Sequence, residues 1–386
     1  MAQENKEFLG KEPVGKLLFK LGIPTVVAQL INMLYNIVDR VYIGHMPHSG
    51  SLALTGVGVC LPILMIIMAF SSFAASGAAP RASIALGKGD KREAERYLGG
   101  AVALQIVLSI VLTLVLLLWN RPILLSFGAS ENTIGYASSY ISVYALGTIF
   151  VQLTMGLNAF ITAQGDTSTS MKTVLLGAVS NIILDPIFIF VFKMGVVGAA
   201  TATVISQCLS ALWCVYYLTK GKSFLKIQRE HLKLSKDVIL PSLVLGSAAF
   251  IMMASESIIS ICFNSSLLKY GGDIAVGAMT ICTSASQMIM LPIQGLSQGA
   301  QPITSYNYGA GNKERVKRTY FLLALVCTVF TLVLWTVIQL FPRTIAGIFT
   351  SEDALLTYSS RVLRIYAGCV FLFGLQISCQ MTFVAI

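Results

Sequence analysis

Charged side chains are scarce in this sequence. Asp, Glu, Lys and Arg make up 11% of its 386 residues, whereas 55% are hydrophobic and the mean hydropathy is +0.77. An ordinary soluble domain carries about 25% charged residues. The composition therefore excludes a soluble enzyme and predicts an all-α protein that spans a lipid bilayer several times.

Residues of common catalytic and metal sites are few or badly placed. The three histidines, His45, His48 and His231, lie outside the apolar stretches, and the eight cysteines include no CxxC pair. No GxxxxGK[ST] segment occurs, which argues against ATP as an energy source. We expect no enzymatic activity and no cofactor.

Ten stretches are long and apolar enough to cross a hydrocarbon core of about 30 Å, which takes roughly 20 residues per helix. They cover residues 17–43, 52–82, 97–119, 133–160, 170–193, 196–219, 237–265, 274–304, 319–341 and 354–386. Suppose that the amino terminus and the connections after spans 2, 4, 6 and 8 lie on the same side of the membrane. Most of the 27 Lys and Arg residues are then on that side. That side is predicted to be the cytoplasm. The net charge of +10 then reflects topology and anionic lipid, and nucleic acid is not an expected partner.

An internal repeat relates the two parts of the sequence. Residues 77–96 resemble residues 299–318, because both contain Gly-Ala-x-Pro and then a Gly-x-Gly-(Asp/Asn)-Lys loop. At a slightly smaller spacing, Asp39 matches Glu256. A repeat with an even number of spans gives two copies of the same orientation, so we predict two pseudo-symmetric helical lobes.

The predicted boundaries are an amino-terminal lobe at 1–219, a cytoplasmic linker at 220–236 and a carboxyl-terminal lobe at 237–386. The second lobe holds four spans where a six-span repeat requires six. We therefore expect two further spans beyond this sequence, in a protein of twelve.

Three of the seventeen acidic residues lie well inside the apolar stretches: Asp39, Asp185 and Glu256. A carboxylate in hydrocarbon costs at least about 2.5 kcal/mol and is by default a functional residue. Asn181 precedes Asp185 by four residues and shares its helix face. Two carboxylates held close in a low-dielectric cavity repel each other, so the pair should hold a proton or Na⁺.

Polar stripes run along three of the spans. They consist of Gln29, Asn32, Asn36 and Asp39 in span 1, of Thr203, Ser206, Gln207 and Ser210 in span 6, and of Thr280, Thr283, Gln287, Gln294, Gln298 and Gln301 in span 8. Such a stripe either lines a substrate path or hydrogen-bonds neighbouring helices to each other. Both interpretations stay open for the stripes, whereas a structural role does not require the carboxyl groups.

Several motifs together resemble one transporter family. They are Ile37-Val38-Asp39 with Gly44, Gly87 to Lys91, Gln164-Gly165-Asp166-Thr167, Asn181 to Pro186 with Asp185, and Val197 to Thr203. This combination is similar to the multidrug and toxic compound extrusion (MATE) transporters, nearest their bacterial branch. The resemblance extends over the whole sequence.

The resemblance implies a twelve-span secondary antiporter of a bacterial cell membrane that exports organic cations and amphipathic drugs, as a monomer, against inward H⁺ or Na⁺. It implies a cation site at Asp39, Asn181, Asp185 and Thr203, with Na⁺ held by the first three, and an acidic position at Glu256. We add a substrate path along Glu256, Asn36, Thr283, Gln287 and Gln294, and a hinge at Pro24.

Two other functions remain to be weighed. A lipid-linked oligosaccharide flippase of similar build would need a cationic cavity for a pyrophosphate. Here only Arg361 and Arg364, in the outer part of span 10, offer positive charge. A non-transporting membrane scaffold would leave the three intramembrane acids unexplained.

Overall fold

The computed structural model describes residues 7–46, 50–349 and 353–386, without the side chains of residues 7, 50 and 51 and of several residues between 249 and 280. Within that part of the chain every regular element is a helix. The helices are α1 (Glu7–Lys11), α2 (Val14–Gly44), α3 (Gly50–Gly87), α4 (Lys91–Ser126), α5 (Ile134–Leu146), α6 (Thr148–Ala163), α7 (Thr167–Pro186), α8 (Val196–Thr219), α9 (Lys236–Gly309), α10 (Lys313–Leu340), α11 (Pro342–Gly347), α12 (Asp353–Tyr366) and α13 (Phe373–Ala385).

Seven helices of the described part are long and apolar enough to cross a membrane, or eight if α5 and α6, bent by 56°, form one span. The bend falls at Gly147, which lies so close to Val204 of α8 that a Cβ there would clash with that side chain. The predicted span 97–119 ends at Trp119, where α4 leaves helical dihedral angles (φ −122°, ψ 20°) and then continues. The all-α polytopic fold predicted from the sequence is confirmed.

The helix α9 differs from the two separate spans predicted at 237–265 and 274–304, because its helical hydrogen bonding runs through both. Ser242 near its start lies against Gly77 of α3, and Tyr306 near its end lies against Gly87. Gly77 and Gly87 are roughly 15 Å apart along α3, but a straight helix from Ser242 to Tyr306 would measure roughly 96 Å. The helix α9 therefore turns back on itself and crosses the membrane twice.

The two repeat loops have the same backbone hydrogen bonds at equivalent positions. The N–H of Asp90 donates to the carbonyl of Ala85 (2.9 Å), and the N–H of Asn312 donates to that of Asn307 (2.9 Å). Each loop turns at a glycine of positive φ, 82° at Gly89 and 74° at residue 311. Only glycine adopts this backbone region without strain, which explains the second glycine of each Gly-x-Gly.

Helices α4 to α8 pack on α2, on α3 and on one another, whereas α10, α12 and α13 pack on α9 and on one another. We call residues up to 219 the amino-terminal half and residues from 236 the carboxyl-terminal half. Between them, the Thr25 hydroxyl donates to the carbonyl of Gly295 (2.5 Å) and Gln29 Nε2 donates to Gln298 Oε1 (3.1 Å). The two halves are therefore in direct contact through α2, α3 and α9.

The linker between the halves is bound to the amino-terminal half. Gln164 Oε1, after α6, accepts three hydrogen bonds from residues 223–225 (3.0, 3.1 and 3.2 Å). The buried Glu95 of α4 accepts two more, from the N–H of Lys226 (3.2 Å) and from Gln228 Nε2 (2.7 Å). These contacts hold the linker as a defined segment.

The start of α9 is anchored in the same region. Val238, in its first turn, is buried in a hydrophobic cluster with Leu98 of α4 and Leu225 of the linker. Gly100 of α4 lies directly under the Val238 side chain, where a Cβ would be too close to fit.

Candidate cation site

Asp185 and Asn181 lie on one face of α7 and are almost completely enclosed by protein. Asp185 is 0% exposed and Asn181 is 2% exposed. Asn181 Nδ2 donates to Asp185 Oδ1 (3.1 Å) and approaches the Thr203 hydroxyl oxygen of α8 at 3.4 Å. The Thr203 hydroxyl in turn donates to the carbonyl of Ala199 (3.0 Å). This chain of contacts fixes the amide and leaves one oxygen of Asp185 unused.

The local backbone helps to place Asp185. Pro186 follows it directly and has no N–H, so the regular hydrogen bonding of α7 cannot continue through this residue. The chain forms a π turn over Ile187–Val191 and reaches a positive-φ glycine, Gly195 (φ 58°). π turns of this kind occur frequently at functional sites. Asp185 therefore stands at the last regular turn of its helix.

Asp39 meets Asp185 from α2. The helices α2 and α7 pack on each other, and the two carboxyl groups lie within electrostatic range of each other. Asp39 Oδ1, Asp185 Oδ2 and Asn181 Oδ1 are buried oxygens without a hydrogen-bond partner. All three can accept hydrogen bonds and none donates, so a proton or a small cation fits between these oxygens. Either one would relieve the repulsion between the two carboxylates.

Three tyrosines belong to the same region, and the sequence analysis missed them. Tyr35 lies one turn before Asp39 and is within electrostatic range of both aspartates. Tyr140 and Tyr144 of α5 are buried, stack with ring centroids 6.1 Å apart, and are within electrostatic range of Asp39. The available signal was the spacing of four residues in both pairs, but tyrosine is common in membrane helices and gave no reason to choose them.

The polar stripe of α8 has two different uses. Thr203 contacts the cation site, whereas Ser210, two turns further on, donates to the carbonyl of Thr173 in α7 (3.3 Å). Ser206 lies between them, buried and without a hydrogen-bond partner for its hydroxyl. The part of the stripe beyond Ser206 therefore joins helices.

The predicted substrate-path residues lie apart from this cluster. Asn36 is exposed and its amide donates to the carbonyl of Asn32 (2.6 Å). Gln287 and Gln294 are exposed on the second pass of α9, and Thr283 is half-buried there and donates to the carbonyl of residue 279 (3.1 Å). Gln298, further along the same stripe, forms the bond to Gln29 described above.

Two further predicted residues, Glu256 and Pro24, lie in the long helices α9 and α2. The backbone of Glu256 belongs to α9, but its side chain lies outside the described residues, so its role stays a prediction. Pro24 is inside α2, and the helix is continuous through it from Val14 to Gly44. The next residue, Thr25, bonds to the carbonyl of Gly22 (2.8 Å) as well as across to α9.

Long apolar helices around a pair of carboxyl groups, one of them fully buried, define the class as a multi-spanning membrane transporter. The comparisons agree with this class. The MatE family model matches residues 24–187 and 248–386. The chain therefore belongs to the MatE family of transporters, which are not enzymes, and is a multi-pass protein of a cell membrane.

Similar proteins span nearly all of the chain. The multidrug export proteins MepA of Staphylococcus haemolyticus and Staphylococcus aureus are 27% and 28% identical to it over 375 residues, which are 97% of this chain and 82% of each relative. A solved structure described as the outward-facing conformation of a multidrug resistance MATE family transporter of the MOP superfamily has a TM-score of 0.90. It is 24% identical and covers 99% of this chain and 84% of that chain.

Proposed function

We propose that this protein is a secondary antiporter that exports organic cations and other amphipathic drugs in exchange for inward H⁺ or Na⁺. The observation that carries the proposal is the carboxyl pair of the half-buried Asp39 and the buried Asp185, in a cluster with three unpartnered buried oxygens. The relatives that share most of this chain are multidrug export proteins. An ion-binding group inside the membrane supplies the coupling that such export needs.

The coupling follows from electrostatics. An empty pair carries two like charges in a low-dielectric setting, whereas one proton or one Na⁺ halves the net charge. An inward-moving cation gains about 2.3 kcal/mol per 100 mV of membrane potential. Loading draws α2 and α7 together at Asp39 and Asp185, and Pro24 is the point at which α2 bends in response.

The exchange requires two states that differ in affinity for ion and drug. In our proposal the lobes at 1–219 and 237–386, joined by the linker at 220–236, alternate between two arrangements, and the amino terminus is cytoplasmic. The drug follows a path along polar residues of α2 and α9 to an acidic residue of the carboxyl-terminal lobe. These residues are Asn36, Thr283, Gln287, Gln294 and Glu256. We propose that the monomer in its lipid bilayer is the working unit.

Counter-transport in proteoliposomes tests this function. Efflux of a cationic dye such as ethidium would be followed with a pH gradient alone, with a Na⁺ gradient alone and with neither. We expect efflux with one gradient and none without. Equal dye movement in all three conditions, or none in any, contradicts the antiport proposal. Movement of a lipid-linked oligosaccharide with no dye efflux would favour the flippase.

A further inference from the structure

The helices α3 and α9 cross near the two repeat loops with their backbones in contact. A Cβ on Gly87 would overlap the carbonyl oxygen of Tyr306, and a Cβ on Gly309 would overlap that of Ile84. Gly87 and Gly309 occupy equivalent positions of the repeat, and so do Ile84 and Tyr306. The contact is therefore reciprocal, since each half places a glycine on the same carbonyl of the other.

A second layer of the same kind lies further into the membrane. A Cβ on Gly77 of α3 would overlap the carbonyl oxygen of Ser242, and a Cβ on Gly246 of α9 would overlap that of Phe73. We call the reciprocal pair Gly87 and Gly309 the glycine crossing; Gly77 and Gly246 lie beside it at the anchored start of α9. At all four positions the partner atom belongs to the backbone, which cannot rotate away as a side chain can.

The same helices are open at their other ends. Gly58 of α3 has nothing within 4 Å of the position of a Cβ. On α9, Gln287, Met288 and Gln294 are exposed. The backbone contacts through Gly87 and Gly309 therefore lie at the loop end, which the basic residues predict to be cytoplasmic, and the positions named nearer the opposite end show no such contact.

We propose that the glycine crossing is the cytoplasmic gate of this transporter, a contact that must break each time the protein opens inward. The proposal rests on the exchange between two states described under Proposed function. Backbone surfaces joined through glycine have no interlocked side chains, so they can part and re-form as rigid bodies. A methyl group at the crossing leaves the parted state free of strain and cannot be accommodated in the closed one.

The reciprocal geometry gives a sharp test. Gly87→Ala and Gly309→Ala, in opposite halves, should both raise the ratio of inward-open to closed protein, by at least about tenfold. Spin labels at Lys88→Cys and Lys313→Cys, both exposed, would report the separation of the loops by pulsed electron paramagnetic resonance in a variant whose eight cysteines are serine.

Matched controls are available in both halves. Gly58→Ala and Gly368→Ala add the same methyl group where nothing lies within 4 Å, and should leave the distance distribution unchanged. A longer loop separation in both crossing variants and in neither control supports the gate. An unchanged distribution in Gly87→Ala and Gly309→Ala overturns it. No substrate or gradient is used, so this result is independent of which solute is carried.

A second measurement leaves the glycines intact, in case the alanine variants do not fold. Lys88→Cys and Lys313→Cys would be joined by a short or a long bis-maleimide, and ethidium exchange would be measured. The short reagent should abolish exchange, and the long one should permit at least about half of it, because only the short one prevents the loops from parting. Full exchange with the short reagent overturns the gate.

Discussion

The two halves of the chain share their loop geometry and differ in the membrane interior. Both loops at the ends of the repeat copies have the same backbone hydrogen bonds at equivalent positions. Inside the membrane, the amino-terminal half brings together a buried carboxyl group at Asp185, a half-buried one at Asp39, an amide and a hydroxyl. The polar side chains described on the second pass of α9 include the exposed Gln287 and Gln294. The repeat therefore shares its loop geometry between the halves, whereas the polar groups described in their interiors differ.

The largest effect is expected when a carboxylate is removed from the amino-terminal half. Asp39→Asn or Asp185→Asn should abolish ion-driven efflux, because an amide cannot take up a proton or balance a cation, and should leave membrane insertion intact. Efflux and ion-binding measurements in proteoliposomes check this. Glu95→Gln is the matched control, since Glu95 is a buried carboxylate outside the cation site, where it binds the linker and pairs with Lys91.

Wild-type efflux in both aspartate variants would remove the ion-site assignment. Loss of efflux with Glu95→Gln as well, at normal protein levels, would mean that any buried carboxylate is required, and that the cluster is not special.

The second prediction concerns the other half. Glu256→Gln should lower efflux of permanently cationic dyes by at least about tenfold, because a carboxylate facing a wet cleft attracts a cation, and should change efflux of neutral compounds little. Proton or Na⁺ binding by the amino-terminal half should persist. Equal loss of all substrates together with ion binding would place Glu256 in the coupling site and end the proposed division of roles.

A finer test lies within the cation site. Thr203→Val keeps the shape and removes the hydroxyl that Asn181 contacts at 3.4 Å. The loss of one hydrogen bond of about 1 kcal/mol should weaken ion affinity about fivefold. Ser206→Ala, one turn away and without a hydrogen-bond partner, should have no effect. Titration calorimetry would compare them, and equal affinities in the two variants would exclude Thr203 from the site.

The smallest expected effect is at the hinge. Pro24→Ala restores an N–H to α2 and should stiffen the helix, slowing efflux about threefold without changing ion affinity. Pro62→Ala, at an exposed position inside α3, is the control. Initial rates of dye efflux separate the outcomes. If Pro24→Ala is as fast as the control, α2 does not bend there during exchange.

Much of this architecture could be read from the sequence, because lipid restricts the choices. Length and apolarity indicated the spans, and the Gly-x-Gly loops indicated the repeat. Asp39 and Asp185 were singled out because a carboxyl group in hydrocarbon is by default functional, and Asn181 because it shares the helix face of Asp185; the four-residue set that includes Thr203 came from the family resemblance. The structure brings these four together, and their roles stay predictions.

Other features could not be read from the pattern. Nothing in the span between residues 133 and 160 marks its bend at Gly147, which depends on the approach of α8. The continuous helical bonding of α9 through residues 266–273 was also unexpected, because apolarity falls there while the backbone stays helical. Tyr35, Tyr140 and Tyr144 join the site only through tertiary packing.

Because Gln164 and Glu95 bind the linker, the linker is not the point about which the two halves pivot. Because Val238 is also packed into the amino-terminal half, the first turn of α9 travels with that half, although the sequence repeat assigns it to the other. Pro241 is the next position at which α9 lacks a backbone donor. The carboxyl-terminal half therefore pivots inside α9, near Pro241. Lengthening the linker would not increase the range of its motion.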